Sequence, residues 1–218
     1  MTGDERGPVG NPFLATRKRG WWDSVGEDAL ANDALVYVEL EDEAAAVRSF
    51  TIDLVDGLMQ TPEYAAAVIQ ANQPSAPDDL VRRQVDVHTR RQARLRGTNP
   101  LRVQAIITEG ALRIRVGGPE TMRRQLEHLL ALMELPNVDL GVVPATGAYP
   151  AMGTPFHILS FDSRFPDVGY VELLDRGVYL EEPDDVRPYD TKFASLRAAA
   201  LGPERSHELI ATIGAEQR

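Results

Sequence analysis

The stretch that decides the fold runs from residue 102 to residue 143: RVQAIIT at 102–108, GGPETMRRQLEHLLALM at 117–133 and NVDLGVV at 137–143. The first and last pieces are rich in β-branched residues, a composition typical of buried strands. Between them, apolar residues recur at helical spacing after a Gly-Gly-Pro turn, which predicts a helix. A strand, a helix and a second strand of this length predict a right-handed crossover between two parallel strands.

Downstream of this unit, the chain continues as short strands and then returns to helix. The sequence Asp175-Arg176-Gly177 predicts a hairpin turn, with its glycine at a position of positive φ. Three segments have strand composition: 156–161, 168–174 and 177–180. Two closing helices are predicted, at 188–201 and 204–213.

Upstream of the unit, the chain is predicted to be helical. Apolar residues at mixed spacings of three and four predict helix between residues 34 and 58. Thr61 and Pro62 predict the N-cap and first residue of another helix. Asp78 opens an arginine-rich helix that extends to Arg96 and is stopped by the Gly and Pro that follow.

The predicted fold class is therefore α+β, with a helical N-terminal half, a mixed β-sheet with one crossover helix, and closing C-terminal helices. Residues 1–20 are rich in Gly, Pro and charged residues and are predicted to be a flexible lead-in. Residues 21–218 are predicted to form one domain.

Composition excludes several classes of protein. The chain has 218 residues and no cysteine, which excludes disulfides, thiolate metal sites and a cysteine nucleophile. Its 33 acidic and 23 basic residues give a net charge of −10, which argues against direct binding of nucleic acid. The N-terminal region is charged where a secretion signal is apolar, and the apolar runs are too short to span a membrane. We therefore expect a cytoplasmic protein that has no membrane or direct nucleic-acid partner.

The sequence carries no established catalytic signature, neither GxSxG nor HExxH nor a Walker loop. The histidines are spread singly, without the i, i+4 spacing of metal ligands: His88, His128, His157 and His207. We therefore predict no metal and no cofactor.

Three residues are candidates for acid–base catalysis, and each also has a structural interpretation. His88 is suited to proton transfer near neutral pH, but a histidine near the apolar side of a helix more often packs there. Asp56 precedes Gly57 at a turn, where Asp commonly bonds its own backbone. Glu109 ends a predicted strand, and ligands of open α/β sheets bind at such carboxyl ends, although a glutamate there can also cap or solvate the edge.

The candidates for ligand binding lie on a basic helix and in a glycine-rich loop. The arginines between residues 82 and 96 predict a solvated helix face by default and an anion site as the alternative. The loop at 147–153 is longer than a structural hairpin needs, and its aromatic and apolar side chains could line a pocket or lie on the surface. The predicted ligand-binding residues are Gln60, Tyr64, Arg91, Arg113, Tyr149, Met152 and Phe156.

Ten short pieces occur in an order that carries a family resemblance. They are LEDEA (40–44), GLMQTPEYA (57–65), RRQARL (90–95), ITEGALR (107–113), VGGPETMRRQL (116–126), PNVDLGVVP (136–144), PFHILSF (155–161), YVELL (170–174), VYLEEPDDV (178–186) and FASLRAAAL (193–201). Together they resemble the uncharacterised C-terminal domain of actinobacterial helix-turn-helix regulators of the XRE and WhiJ-like type, described as antitoxin-like. The resemblance covers roughly residues 21 to 213.

The resemblance implies an effector domain, here expected to stand free of the helix-turn-helix because only about 20 residues precede Trp21. The chain departs from the family at Asp56-Gly57, where the family has Pro-Gly, and at His88, where it has Arg. The first hypothesis is a regulatory, sensor-like domain that binds a small molecule or a protein partner, which can be a second copy of the chain in a homo-oligomer. An alternative is a metal-independent enzyme of secondary metabolism that uses His88 with Asp56 and Glu109 for proton transfer, cyclisation or isomerisation. A third is a DNA-associated regulator that pairs with an intact family member.

Overall fold

A mixed sheet organises the fold in the computed structural model, which describes residues 20–24, 30, 32–162 and 165–217. In these residues the strands are β1 (Ala46–Thr51), β2 (Arg102–Thr108), β3 (Val138–Val143), β4 (Phe156–Ser160), β5 (Val168–Glu172) and β6 (Gly177–Leu180). The α-helices are α1 (Asn32–Glu43), α2 (Pro62–Asn72), α3 (Asp78–Arg91), α4 (Glu109–Arg113), α5 (Pro119–Met133), α6 (Pro183–Ala199) and α7 (Pro203–Ala215). Short 3-10 turns lie at Trp21–Ser24, Gly57–Met59 and Gln92–Leu95.

The strand order is β3-β2-β1-β4-β5-β6, and the sheet changes character at β1. Strands β3, β2 and β1 are parallel, whereas β4, β5 and β6 continue the sheet in antiparallel fashion. The predicted parallel connection from β2 to β3 through a helix is confirmed and contains α4 and α5, and the α+β fold class is confirmed with it.

Strand β1 contradicts the helix predicted between residues 34 and 58. Helix α1 ends at Glu43, and residues 46–51 are a strand that pairs with β2 on one side and β4 on the other. Because both faces of β1 are covered, Val47 and Phe50 are both fully buried on opposite faces, and their three-residue spacing imitates a helix. As a result the sheet has a second parallel crossover, from β1 to β2 through α2 and α3.

Two smaller predictions are also corrected. Gly177 lies in the predicted hairpin but outside the set of glycines with positive φ. It is needed for space instead, because a Cβ there would lie 2.5 Å from Cε2 of Tyr170. Helix α6 begins at Pro183, five residues before its predicted start, and accommodates Pro188 in its interior.

Capping residues place the helices that approach the site. The predicted start of α2 is confirmed, since the Thr61 hydroxyl accepts a hydrogen bond from the Tyr64 N–H at 3.3 Å and Pro62 follows it. Helix α3 begins at the predicted Asp78, ends at Arg91 and continues as a 3-10 turn before Gly97. Gly97 has a φ of 104°, which favours glycine and ends the helical segment.

The sheet separates two apolar layers. On one face, side chains of α1, α2, α5 and α7 form the larger core, with members such as Leu58, Met122 and Leu126 completely buried. On the other face, α6 packs Phe193 and Leu196 against Phe50 of β1. Burial at about 25 cal/mol per Å² of apolar surface makes these layers the main source of stability.

Two further predictions concern the N-terminal residues and membrane-spanning helices. The predicted lead-in, residues 1–20, lies outside the described residues except for Gly20. None of the helices in the described ranges has the length and apolar composition needed to cross a bilayer.

Candidate functional site

A cavity of about 330 Å³ opens where β1 ends. Its walls come from α1, from the segment that leaves β1, from α2 and α3, and from the start of β4. The wall is largely aliphatic and aromatic, and titratable side chains gather at one end of it. This end, which we call the polar end, comprises Tyr37, Asp56, His88, Arg91 and His157.

A buried ion pair supports the polar end from behind. Arg91, in the last turn of α3, donates from Nε and Nη2 to the two carboxylate oxygens of Glu41 on α1, each at 2.7 Å. The two side chains are only 10% and 2% exposed. The guanidinium also lies 5.3 Å from the ring centre of Tyr37. Burial acts to lower the pKa of Arg91, but the charge of Glu41 outweighs it, so the pKa is raised and the arginine stays charged.

Asp56 is held by the turn that the sequence predicts. Its Oδ1 accepts a hydrogen bond from the Leu58 N–H at 2.8 Å and caps the 3-10 turn that follows. Its Oδ2 is buried, makes no hydrogen bond, and lies 3.4 Å from Nε2 of His157. Burial alone would raise the pKa of Asp56, but His157, the Leu58 N–H and the Ser49 hydroxyl together outweigh burial, and the pKa lies below its usual 3.8.

Tyr37 and His157 extend the polar end along β4. His157 faces Ser49 across the pairing of β1 with β4, and its Nδ1 lies 2.7 Å from the Tyr37 oxygen. Burial first, and then Glu41 and Asp56, raise the pKa of Tyr37 well above 10. A phenol that keeps its proton can donate to Nδ1, which places an imidazole proton on Nε2, facing Asp56.

His88 completes the polar end and is neutral at pH 7. Burial first, and the charge of Arg91 second, lower the pKa of His88 from 6.5 to about 4. A Cβ at Gly57 would lie 3.3 Å from Nδ1 of His88 and 2.9 Å from Nη1 of Arg91, so glycine allows both side chains to approach the turn. Nδ1 of His88 is buried and makes no well-formed hydrogen bond, although the Gly57 backbone acts to raise the pKa of the ring. A neutral ring there can accept a proton but carries no charge.

The cavity brings together five of the predicted site residues: Asp56, Gln60, His88, Arg91 and Phe156. Asp56 and His88 therefore share one wall. Gln60 is fixed by its own amide, which donates to the Val55 carbonyl at 2.7 Å. Phe156 is 2% exposed and packs at the start of β4.

Glu109 and Arg113 lie at a different place, outside the cavity wall. Glu109 follows β2, as expected, and its oxygens accept from the Ala145 N–H at 2.9 Å and from Nε of Arg113 at 2.7 Å. These bonds, with the Ala145 N–H as the larger cause, lower the pKa of Glu109. Arg113 reaches Glu216 at 2.8 Å, so this cluster joins α4 to the end of α7 at the surface.

Three other predicted ligand-binding residues, Tyr64, Tyr149 and Met152, also do not line the cavity. Tyr64 is completely buried, and its hydroxyl accepts from the Val55 N–H at 3.1 Å, which supports the segment that leaves β1. Tyr149 packs edge-on against Phe50 at 6.0 Å, on the α6 side of the sheet. Met152 is 58% exposed.

The sequence did not identify two residues of the polar end, Tyr37 and His157, or Glu41, which supports the polar end from behind. Glu41 carried a usable signal, since it lies one turn after Tyr37 in a helix whose apolar residues face the core. A carboxylate on such a face needs a buried cation, and the arginine-rich α3 is its source. His157 carried none, because a histidine in a strand of this composition is indistinguishable from a packing residue.

A second cavity, of about 460 Å³, lies beside β3, between α6 and α7. The charged residues on its wall, Asp139 and Arg197, pair with each other at 2.8 Å and are both well exposed. It therefore differs from the first cavity, whose polar atoms include buried ones without hydrogen bonds. Within the described chain, no group of three or more His, Asp and Glu side chains is arranged to hold a metal ion.

Comparison with known proteins places residues 35–212 in one family. The model of the family described as a domain of unknown function (DUF5753) matches this range. No curated protein and no solved structure matches the chain.

We predict that Glu41→Gln destabilises the fold by about 3–5 kcal/mol, because it leaves the buried guanidinium of Arg91 without a counter-charge. The control is Asp86→Asn, which removes an exposed partner of Arg90 on the same helix, at 2.8 Å, and should cost less than about 1 kcal/mol. Urea unfolding at pH 7 measures both. Equal, small losses would show that the Glu41–Arg91 pair is not structural.

We also predict a pH effect of His88. Its pKa is about 4 in the folded chain and 6.5 ordinarily, so below pH 6.5 the unfolded chain binds a proton that the folded chain does not. Stability therefore falls between pH 6.5 and pH 4, by up to about 3 kcal/mol from this residue. His88→Gln removes this part of the loss. Losses in stability between pH 7 and pH 4 that are equal in the variant and the wild type would contradict the assignment.

Proposed function

We propose that this chain, which belongs to the DUF5753 family, is a small-molecule-binding domain of sensor type. The observation that carries the proposal is the cavity at the end of β1. Its volume of about 330 Å³ lies within the range of ligand pockets, and it combines an apolar wall with a few convergent polar groups. The same residues would place the polar part of a ligand at the polar end and its apolar part along α1 and α2.

Unsatisfied polar atoms support a ligand rather than a structural role for this space. Buried polar groups in folded proteins are nearly always hydrogen-bonded. Here Nδ1 of His88 and Oδ2 of Asp56 are buried without a well-formed hydrogen bond, although both residues line the cavity. The groups that act on them are the Gly57 backbone for His88, and His157 and Ser49 for Asp56. A small adjustment of either side chain would present these atoms to a bound molecule.

The position of the cavity supports a regulatory use. Its walls belong to α1, to the segment after β1 and to α3, and the Glu41–Arg91 pair ties the two helices together. A ligand that contacts the polar end would act on α1 and α3 together. Descent from the effector half of helix-turn-helix regulators, which the sequence resemblance implies, agrees with such a role and is part of the proposal.

The test compares molecules retained by the purified wild type and by a cavity-filling variant. Val68→Phe adds a ring to the cavity wall, and Ala198→Phe adds the same ring to an exposed position of α6. We expect mass spectrometry of the denatured proteins to find a compound in the wild type and in Ala198→Phe that Val68→Phe lacks. A thermal-shift screen of a metabolite library on the same three proteins should show the same difference. Identical behaviour of all three in both experiments would contradict the proposal.

An enzyme is the second candidate, because Asp56 and His88 line the same cavity. Against it, a pKa of about 4 makes His88 a weak base at neutral pH, while general bases work best with pKa values near the working pH. Glu109, the third expected catalytic residue, lies outside the cavity wall.

Deuterium incorporation separates the two candidates. If the chain catalyses proton transfer, a retained compound incubated in D2O with wild type should gain deuterium on carbon, and His88→Gln should abolish the gain. If the chain only binds, the compound keeps its mass with both proteins. Carbon-bound deuterium that appears equally with both proteins would argue against His88 as the base.

A further inference from the structure

The charges on the cavity wall are strongly unequal. Histidines aside, the charged residues that line it in the described chain are Asp53, Asp56, Glu172 and Arg91. Asp53 and Glu172 are exposed, which places them toward the mouth, and Asp56 is only 3% exposed. A molecule that enters therefore meets carboxylates first at the mouth and again at the polar end.

Arg91 balances these acids only in part, and burial and His157 both act on the pKa of Asp56 more strongly than Arg91 does. Both of its charged hydrogen bonds go to Glu41, at 2.7 Å each, and Glu41 is 2% exposed behind it. The pair is neutral as a unit, so Arg91 offers the cavity a hydrogen-bond donor without a free charge. His88 adds no charge, since its pKa is about 4.

Asp56 is the acid best placed to bind a ligand. The low pKa of its carboxyl keeps it ionised at neutral pH. Its Oδ1 accepts from the Leu58 N–H, and its Oδ2 lies 3.4 Å from Nε2 of His157 without a well-formed hydrogen bond. Burial raises the pKa of Asp56, but His157, the Leu58 N–H and the Ser49 hydroxyl lower it. An ammonium beside Oδ2 would add a charge-assisted hydrogen bond to these partners.

Aromatic rings surround the same end of the cavity. Tyr37 and Tyr170 lie 4.7 Å apart, and His157 lies 5.3 Å from Tyr37 and 6.0 Å from Tyr170. Ring faces attract cations and also accept an apolar body. Carboxylate and aromatic groups together recognise an amine, whereas they repel an anion.

We propose that the cavity selects a compact amine with an apolar body, whose ammonium lies beside Asp56, and that it rejects the corresponding carboxylate. This inference rests on the proposed function and adds the chemical class of the ligand.

The test uses three probes that share a phenyl ring and differ in charge: 2-phenylethylamine, 2-phenylethanol and phenylacetate. Calorimetric titration of the full chain at pH 7.5 and low salt measures each affinity. We expect the amine to bind at least about tenfold more tightly than the alcohol, because a charge-assisted hydrogen bond contributes at least that much affinity. We expect phenylacetate to show no binding. The affinity for the amine should also fall as salt is added.

Asp56→Asn tests whether the preference for the amine comes from Asp56, because asparagine keeps an oxygen that can cap the turn but removes the charge. We expect this variant to lower the affinity for the amine about tenfold or more and to leave the affinity for the alcohol unchanged. Asp139→Asn, in the second cavity, is the matched control and should change neither. Should Asp56→Asn fail to fold, Glu172→Lys at the mouth provides the second variant, with weaker amine binding and stronger phenylacetate binding expected.

Two outcomes would overturn the inference without affecting the proposed function. The first is phenylacetate binding as tightly as the amine. The second is that none of the three probes binds while a non-amine compound is retained by wild type and lost in Val68→Phe. If the three proteins of the retention experiment behave alike, the proposed function itself fails, and the two failures are thus distinguishable.

Discussion

The site depends on one interaction, the buried ion pair between Glu41 and Arg91. It joins α1, which precedes β1, to the last turn of α3, which precedes β2, and so closes the space beyond the end of β1. Two charges removed from water are costly unless their geometry is good, and here two parallel bonds of 2.7 Å meet that condition. The pair fixes Arg91 where its charge, together with the larger effect of burial, keeps His88 neutral, and where the guanidinium lies over the ring of Tyr37.

The pair also determines what the polar end offers to a ligand. Because Arg91 makes both of its charged hydrogen bonds to Glu41, it compensates the acids on the cavity wall only in part, and Asp56 lies among aromatic rings with Oδ2 3.4 Å from Nε2 of His157. Gly57 contributes by its lack of a side chain, since both Arg91 and His88 approach the turn at distances that a Cβ would obstruct. The arrangement combines a rigid support with unsatisfied polar atoms, which is how a preformed binding site differs from a packed core.

Sequence alone predicted much of the scaffold and about half of this site. The β2–α5–β3 unit and the Thr61–Pro62 helix start were predictable because their patterns are local. Strand β1 was not predictable, because it is buried on both faces and its sequence does not alternate between apolar and polar residues. Without β1, the second crossover, which creates the cavity, could not be predicted either. Asp56 and His88 were named as types suited to chemistry, whereas His157 joins them only through the pairing of β1 with β4, which no local pattern reveals.

We infer that a ligand binds at the polar end while the Glu41–Arg91 pair stays intact. A crystal structure of the protein with the compound that it retains, or with 2-phenylethylamine, tests this most directly. We expect density between Asp56 and the aromatic rings, next to His88, with both Arg91–Glu41 bonds preserved. Density in the cavity beside β3, or an Arg91 that leaves Glu41 to bind the ligand, would contradict it.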